Sequence, residues 1–192
     1  MKRKIWTVLF LLIVVCISTG MLNAVYIHTA PLVRRNEEAK TQKGVLEIFH
    51  IPYDEISIQR TFDENVDVDA QTVKGIKLYK SRCGSVAFQI SGPGFWGEIS
   101  AIVALESDLE TIRELRILKN TETPGLGGRI TESWFQDQFK GKKATPELKI
   151  LPYGTAQKPN EVDAITGATQ TSRAFERIIN NNIGFLRSRL IR

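Results

Sequence analysis

The feature that most constrains this chain is an uncharged apolar run near its N-terminus, at residues 5–27. As a helix, these residues would span about 35 Å, which is enough to cross the hydrocarbon core of a bilayer. Three basic residues at positions 2–4 precede the run, and basic residues on a short flank favour the cytoplasmic side. We therefore predict a cytoplasmic tip at residues 1–4, a single transmembrane helix at 5–27, and the bulk of the chain outside the cytoplasm.

A cleaved signal peptide is the alternative interpretation of the same run. Ser18, Thr19 and Gly20 are small residues at which a signal peptidase could cut. Apolar residues resume directly afterwards, however, and the whole run is longer than the apolar core that is typical of signal peptides. Length therefore favours an uncleaved anchor, with Tyr26 as an aromatic residue at the membrane interface. The sequence alone leaves open whether the segment is ever cleaved.

The positive charge of the chain is confined to its N-terminal part. Residues 1–45 carry seven of the 26 Lys and Arg residues but only two of the 21 Asp and Glu residues, so the rest is electrically balanced. The net charge of +5 therefore does not indicate a nucleic-acid-binding surface. Cys16 and Cys83 predict no disulfide framework. Because neither His28 nor His50 has a Cys or acidic cluster nearby, we expect no metal site.

The remaining residues predict one α+β domain. A helix is expected from Pro31 to about Phe49 with Thr29 as its cap, which places a membrane-proximal helix at 28–50 and the globular domain at 51–192. A second helix is expected at about 130–139, and a third from near Thr171 to the C-terminus with an apolar stripe along one face. Alternating apolar residues with short connections predict antiparallel strands. The strand candidates are a weak one at 56–58, then 76–79, 86–90, 98–105 and 111–118.

Two glycine-rich loops interrupt this pattern. In Gly-Pro-Gly-Phe-Trp-Gly, at residues 92–97, Trp96 is either a contact residue or the packed aromatic of an ordinary hairpin turn. In Glu-Thr-Pro-Gly-Leu-Gly-Gly, at residues 122–128, Pro124 and Gly125 fit the centre of a type II turn. A flat ligand could lie against this backbone, and the alternative is a plain loop between a strand and a helix. Neither loop has the strand–GxGxxG–helix arrangement of a dinucleotide fold.

Residues 163–172, Asp-Ala-Ile-Thr-Gly-Ala-Thr-Gln-Thr-Ser, place four hydroxyl side chains and a glycine directly before the C-terminal helix. Helix N-termini expose unpaired backbone N–H groups and the positive end of the helix dipole, so they hold phosphates well. Ser and Thr are also common at ordinary helix N-caps. From the residues alone, the segment predicts either a phosphate site or a cap.

Taken in order, these motifs resemble the extracytoplasmic flavin-binding domain that carries FMN through a phosphoester bond. This domain occurs in the G subunit of the Rnf electron-transport complex and in the C subunit of the sodium-pumping NADH:quinone reductase. The attachment motif of the family is Asp, two variable residues, Ser or Thr, Gly, Ala and the acceptor Thr or Ser, and residues 163–169 match it throughout. The family also has a Glu-Thr-Pro-Gly-Leu-Gly loop and a glycine-flanked Leu-Trp pair, here Phe95-Trp96. Asn120 stands where the family often has a histidine.

The resemblance implies a covalent FMN cofactor esterified to Thr169. It implies that Thr166, Gly167 and Ala168 complete the site and that Asp163 is required by a separate flavin transferase. It further implies that one loop flanks the flavin ring with Trp96 nearby. The residues of that loop are Glu122, Thr123, Pro124, Gly125, Leu126 and Gly127.

By the same resemblance, the chain is an electron-carrying flavoprotein subunit of a membrane complex that couples electron transfer to ion translocation. Its partners would be the lipid bilayer, other subunits of the complex and the flavin transferase, in a bacterial-type inner membrane. The short chain favours the Rnf-type G subunit over the C subunit of the quinone reductase. The alternatives are a freestanding anchored flavoprotein reductase and an anchored scaffold module without a cofactor. No autonomous active site and no catalytic residue is evident.

Overall fold

The computed structural model describes residues 2–69, 76–82 and 85–190. The chain forms two compact units, Met1–Lys40 and Thr41–Arg192. The second unit therefore begins at Thr41, ten residues before the expected domain start at 51. Cys83 lies outside the described residues.

The first helix, α1 (Lys2–Ile48), continues without interruption through and beyond the apolar run. An 18-residue window in it has a mean hydropathy of 2.5 and is 0% buried, so by length and composition the helix could cross a membrane. The expected separate helix capped at Thr29 was wrong. Pro31 lies inside α1, and the Thr29 hydroxyl donates to the Val25 carbonyl oxygen at 2.9 Å. Thr can occupy a helix interior when its hydroxyl donates to a carbonyl oxygen of the preceding turn. Pro in an apolar helix removes one backbone hydrogen bond but does not have to end the helix.

An antiparallel sheet of five strands, in the order β1-β2-β3-β4-β5, forms the centre of the second unit. Each strand pairs with the next one along the chain, as the short connections predict. The strands predicted at 76–79, 86–90, 98–105 and 111–118 are confirmed as β2, β3, β4 and β5. The strands are β1 (Val66–Asp69), β2 (Leu78–Ser81), β3 (Val86–Pro93), β4 (Glu98–Leu105) and β5 (Ile112–Lys119).

Two expectations at the start of the sheet were wrong. Residues 56 and 57 of the strand candidate at 56–58 form a turn, in which Ile56 is 95% exposed, and Ile58 begins α2 (Ile58–Asn65), which buries Phe62. Strand β1 was missed because it is four residues long and two of them are Asp, a residue depleted in strands. Both regions show that a pair of alternating apolar residues is too short a pattern to assign a strand.

Strand β4 is covered on both faces. Its odd-numbered apolar residues, from Ile99 to Leu105, belong to one core cluster, and Ile102 and Ala104 belong to a second. The second cluster includes Leu46 and other residues near the end of α1, so this part of the helix belongs to the domain core. Burial on both faces explains why β4 is almost continuously apolar rather than strictly alternating.

The remaining elements cover the face of the sheet that carries the odd-numbered apolar residues of β4. The helix expected at 130–139 is instead a 3-10 helix (Gly127–Thr131) followed by α3 (Ser133–Asp137), because Glu132 between them has extended backbone at φ −71° and ψ 140°. Two parallel strands of three residues each, β6 (Lys149–Leu151) and β7 (Glu161–Asp163), were not predicted. The C-terminal helix α4 (Thr169–Leu190) is confirmed and begins two residues earlier than expected.

An aromatic cluster fixes α4 in the core. Phe175 of α4 is fully buried, and its ring centroid lies 6.1 Å from that of Phe135 and 5.7 Å from that of Phe139. Burial of large aromatic side chains is among the strongest contributions to a core. The position of the helix that carries Thr169 therefore depends on this cluster.

Candidate functional site

Residues 163–172 form a turn that leads into α4. The Ala168 N–H donates to the Ile165 carbonyl at 3.0 Å, and Gly167 in this turn has φ +80°, a conformation that favours glycine. The Ala168 carbonyl then accepts a helical hydrogen bond from the Ser172 N–H at 3.0 Å, so Ala168 occupies the N-cap position. Alanine has no side-chain acceptor for the N–H groups of the first turn. The four hydroxyls of this segment therefore do not provide an ordinary N-cap.

The four hydroxyl side chains differ sharply in exposure. Thr166 and Thr169 are exposed, whereas Thr171 is 3% and Ser172 is 1% exposed. A hydroxyl must be accessible before an enzyme can modify it. Exposure thus leaves Thr166 and Thr169 as the candidates for attachment.

Hydrogen bonds explain the burial of the other two hydroxyls. Ser172 Oγ donates to the Ala168 carbonyl at 3.0 Å and accepts from the Ile165 N–H at 3.2 Å, so it holds the turn before the helix. Thr171 Oγ1 donates to Glu122 Oε2 at 2.7 Å. Both hydroxyls are occupied in maintaining the local structure.

Glu122 joins three segments of the domain through one buried carboxylate, which is 5% exposed. Its Oε1 accepts from the backbone N–H groups of Phe95 at 2.8 Å and Trp96 at 3.1 Å. Its Oε2 accepts from Thr171. The β3–β4 hairpin, the second glycine-rich loop and the first turn of α4 therefore meet at this carboxylate. The resemblance implied that Glu122 flanks the flavin ring, whereas both of its oxygens are engaged by protein donors.

The second glycine-rich loop forms the expected type II turn. The Leu126 N–H donates to the Thr123 carbonyl at 3.2 Å, and Gly125 has φ +75°. The loop also contacts the attachment segment, since a Cβ built on Gly167 would lie 3.4 Å from Leu126 Cδ2. A Cβ on Gly127 would overlap Thr171 Oγ1, so this close approach requires glycine. Together these contacts bring the loop against residues 167 and 171.

The tip of the β3–β4 hairpin presents two aromatic rings to solvent. The Gly94 N–H donates to the Gly97 carbonyl at 2.7 Å and closes the tip. Phe95 is 54% and Trp96 is 70% exposed, and their ring centroids lie 5.2 Å apart in an edge-to-face arrangement. Residues 92–98 line an open depression of about 470 Å³. This exposure favours the interpretation of Trp96 as a contact residue over that of a packed turn aromatic.

The Asp163 carboxylate bonds to a different part of the chain from these loops. Its Oδ1 accepts from the backbone N–H groups of Thr155 at 3.1 Å and Ala156 at 3.0 Å, while its own N–H donates to Gln138 Oε1 at 2.9 Å. The carboxylate thus fixes the turn at residues 152–156. Any role for Asp163 with a transferase would have to coexist with this structural function.

A second carboxylate on β7 has a similar function. Glu161 Oε2 accepts from the backbone N–H groups of Gln157 at 3.0 Å and Lys158 at 3.1 Å. These two bonds hold the pKa of Glu161 below its ordinary value of 4.5 because they stabilise the charged form. Residues 155–158, in the middle of the loop that precedes β7, are therefore held by two β7 side chains.

The structure thus brings together Trp96, the loop from Glu122 to Gly127, Gly167 and the first turn of α4. The Asp163 carboxylate instead bonds to the backbone of residues 155 and 156. Sequence reasoning missed Thr171 as the partner of Glu122. A signal was available, because Thr171 precedes Phe175 by four residues and so lies on the buried stripe of α4. In the described ranges, no group of three or more His, Cys, Asp or Glu is arranged to hold a metal ion.

Comparison with known proteins supports the resemblance inferred from the motifs. Residues 94–184 match the family model described as "FMN-binding domain". This part of the chain is similar to an FMN-binding domain. The matched region includes the hairpin tip, the second glycine-rich loop and the attachment segment.

Two similar proteins are named as subunits of Na(+)-translocating oxidoreductases. The chain is 29% identical over 161 residues to the G subunit of the Na(+)-translocating ferredoxin:NAD(+) oxidoreductase complex of Acetobacterium woodii, covering 73% of this chain and 77% of that protein. It is 35% identical over 97 residues to the C subunit of the Na(+)-translocating NADH-quinone reductase of Vibrio alginolyticus, covering 47% of this chain and 38% of that protein. The chain therefore spans less than half the length of the Vibrio relative.

Solved structures confirm the fold class. The C subunit of the Na(+)-translocating NADH-quinone reductase from Parabacteroides distasonis has a TM-score of 0.70 at 20% identity, over 80% of this chain and 92% of that chain. The Shewanella oneidensis NqrC structure has a TM-score of 0.54 at 26% identity, over 64% of each chain. Together with the apolar α1, the relatives indicate a membrane-anchored FMN-binding protein.

Proposed function

We propose that this protein is the FMN-carrying G subunit of an Rnf-type complex that couples electron transfer to ion translocation. The observation that carries the proposal is the exposed Thr169 at the start of α4, inside a segment that matches the attachment motif residue by residue. Similarity to a G subunit over 73% of the chain supports this assignment over the quinone-reductase alternative, whose relatives match a shorter part.

We assign the FMN phosphoester to Thr169. Thr169 is the first residue of α4, so its hydroxyl lies beside the N–H groups of the first turn and the positive end of the helix dipole. These groups would stabilise the negative charge that remains on a phosphodiester. The other exposed hydroxyl, Thr166, lies within the turn before α4 and lacks this position. The first turn of α4 carries no acidic residue, which also suits a phosphate there.

The attachment chemistry is a phosphoryl transfer that needs an activated donor. The Thr169 oxygen would form the new bond to phosphorus, while the phosphoanhydride bond of a flavin dinucleotide breaks and a nucleoside monophosphate leaves. The hydroxyl proton passes to a base of the transferase, and no group is oxidised or reduced. A flavin transferase is therefore a partner of this chain, and the covalent bond retains the cofactor outside the cytoplasm.

The residues of the site fit a flavin. When bound, FMN supplies one- and two-electron redox chemistry, and the protein supplies position and electrostatics. The backbone of the second glycine-rich loop and the exposed rings of Phe95 and Trp96 offer flat surfaces near the first turn of α4. An exposed aromatic tip suits electron exchange with neighbouring subunits better than the enclosure of a substrate. This supports a carrier function within a complex.

The proposed function is tested by purifying the full chain from its native membranes. We expect a flavin-fluorescent band on denaturing gels, together with the other subunits of a ferredoxin:NAD(+) oxidoreductase complex. Co-purification with NADH-quinone reductase subunits would instead identify the quinone-reductase type. A fluorescent chain that purifies alone and reduces a soluble acceptor would identify a freestanding reductase. A dark band from cells that contain the transferase would exclude the flavoprotein function.

We propose that the domain lies on the extracytoplasmic side of the membrane, with residues 2–4 in the cytoplasm. The basic residues before the apolar run support this orientation. Proteinase K added to intact spheroplasts should digest the domain while a cytoplasmic marker protein survives. Protection of the domain until the cells are lysed would contradict the orientation.

A further inference from the structure

The hairpin tip and the attachment helix are connected through two buried side chains. Two N–H groups of the tip donate to Glu122, and Thr171 of α4 donates to the other oxygen of the same carboxylate. The three partners lie 26, 27 and 49 residues from Glu122, so the contact joins distant parts of the chain. Buried polar groups that are fully hydrogen-bonded make local structure rigid.

The two faces of the first turn of α4 therefore have different roles. Thr169 is on the exposed side, and Thr171, two residues later, is buried against Glu122. A group attached to Thr169 would be anchored to the same turn that holds the aromatic tip. The position of the tip relative to such a group would then depend on the bond between Thr171 and Glu122.

We propose that Glu122 and Thr171 are positioning residues that hold the Phe95–Trp96 tip against the flavin ring carried by Thr169. This inference rests on the proposed attachment at Thr169. Neither residue needs to touch the flavin, because the Glu122 oxygens are directed to the tip backbone and to Thr171. Contacts within the protein thus fix the surface that receives the ring.

The test uses the full flavinylated chain in detergent and compares Thr171→Val with Thr171→Ser. Valine has nearly the shape of threonine but cannot donate to Glu122, whereas serine can. We expect Thr171→Val to keep its covalent flavin but to lose flavin fluorescence anisotropy and the quenching of the flavin by Trp96. Thr171→Ser should retain wild-type values of both. Unchanged anisotropy and quenching in Thr171→Val would overturn the proposal.

The matched control is Ser172→Ala. It removes the neighbouring buried hydroxyl of the same helical turn, which bonds to Ala168 and Ile165 and makes no contact with Glu122. We expect this variant to have wild-type anisotropy even if its melting temperature falls. An equal loss of anisotropy in Ser172→Ala would show that general destabilisation is responsible, and it would contradict a specific positioning role.

A second variant keeps the proposal testable if Thr171→Val does not fold. Trp96 is 70% exposed, so Trp96→Phe should fold normally. We expect the flavin fluorescence of this variant to rise because the quenching indole is removed. Unchanged fluorescence would show that the tip does not lie against the ring. In either experiment, absence of flavin from the wild-type chain would refute the proposed function. If the wild-type chain carries flavin but the variants show no change in anisotropy or fluorescence, only the positioning role is refuted.

Discussion

Thr169→Ala is expected to abolish covalent flavin while the domain remains folded. The substitution removes the oxygen that we assign to the phosphoester. Thr169 is exposed, and alanine is a better helix former than threonine, so the free energy of unfolding should change by no more than about 0.5 kcal/mol. The measurement is flavin fluorescence of the chain on a denaturing gel, after expression together with the transferase.

Two further variants make this result specific. Thr169→Ser retains a hydroxyl at the same position and should remain fluorescent. Thr166→Ala removes the other exposed hydroxyl, which belongs to the attachment motif. It should lower the amount of covalent flavin without abolishing it, because the oxygen that we assign to the phosphoester is still present. If Thr169→Ala stayed fluorescent and Thr166→Ala became dark, the attachment would have to be moved to Thr166. Thr171 is not the next candidate, because its hydroxyl is buried and bonded to Glu122.

The larger elements of the fold were predictable because their signals are local. Strands β3, β4 and β5 are each eight residues long, and their apolar residues and short connections are visible in the sequence. Strands β6 and β7 are three residues long and pair in parallel across nine intervening residues, so no periodic pattern identifies them. Thr29 and Pro31 suit a helix N-terminus, but the same residues are compatible with the interior of α1.

The candidate site was predictable as a set of motifs but not as an arrangement. The type II turn at Pro124-Gly125 follows from residue chemistry that needs no distant partner. The position of Glu122 could not be derived in this way, because its partners Phe95, Trp96 and Thr171 come from two other segments. The burial of Thr171 and Ser172 follows from their position on the buried face of α4, four and three residues before Phe175, and not from their residue type.

Phe175→Ala is expected to be the most destabilising single change in α4. The side chain is fully buried, and the substitution would leave a cavity beside Phe135 and Phe139. Replacing a buried phenylalanine with alanine costs about 3–5 kcal/mol, which is a large part of the roughly 5–15 kcal/mol that typically stabilises a domain. Urea unfolding of the full chain in detergent, followed by tryptophan fluorescence, would measure this loss as a lower midpoint.

Phe185→Ala provides the matched control on the same helix. Phe185 is 43% exposed, and its ring contacts the Arg189 guanidinium at 5.3 Å from the centroid, so its removal should cost less than about 1 kcal/mol. Equal midpoints for the two variants would contradict the role of the aromatic cluster in fixing α4. Because α4 carries Thr169 on its exposed side and Phe175 on its buried side, Phe175→Ala should also reduce flavin attachment as the temperature approaches its lowered melting point. Phe185→Ala should retain wild-type attachment at the same temperature, since the packing that holds the attachment residue is intact.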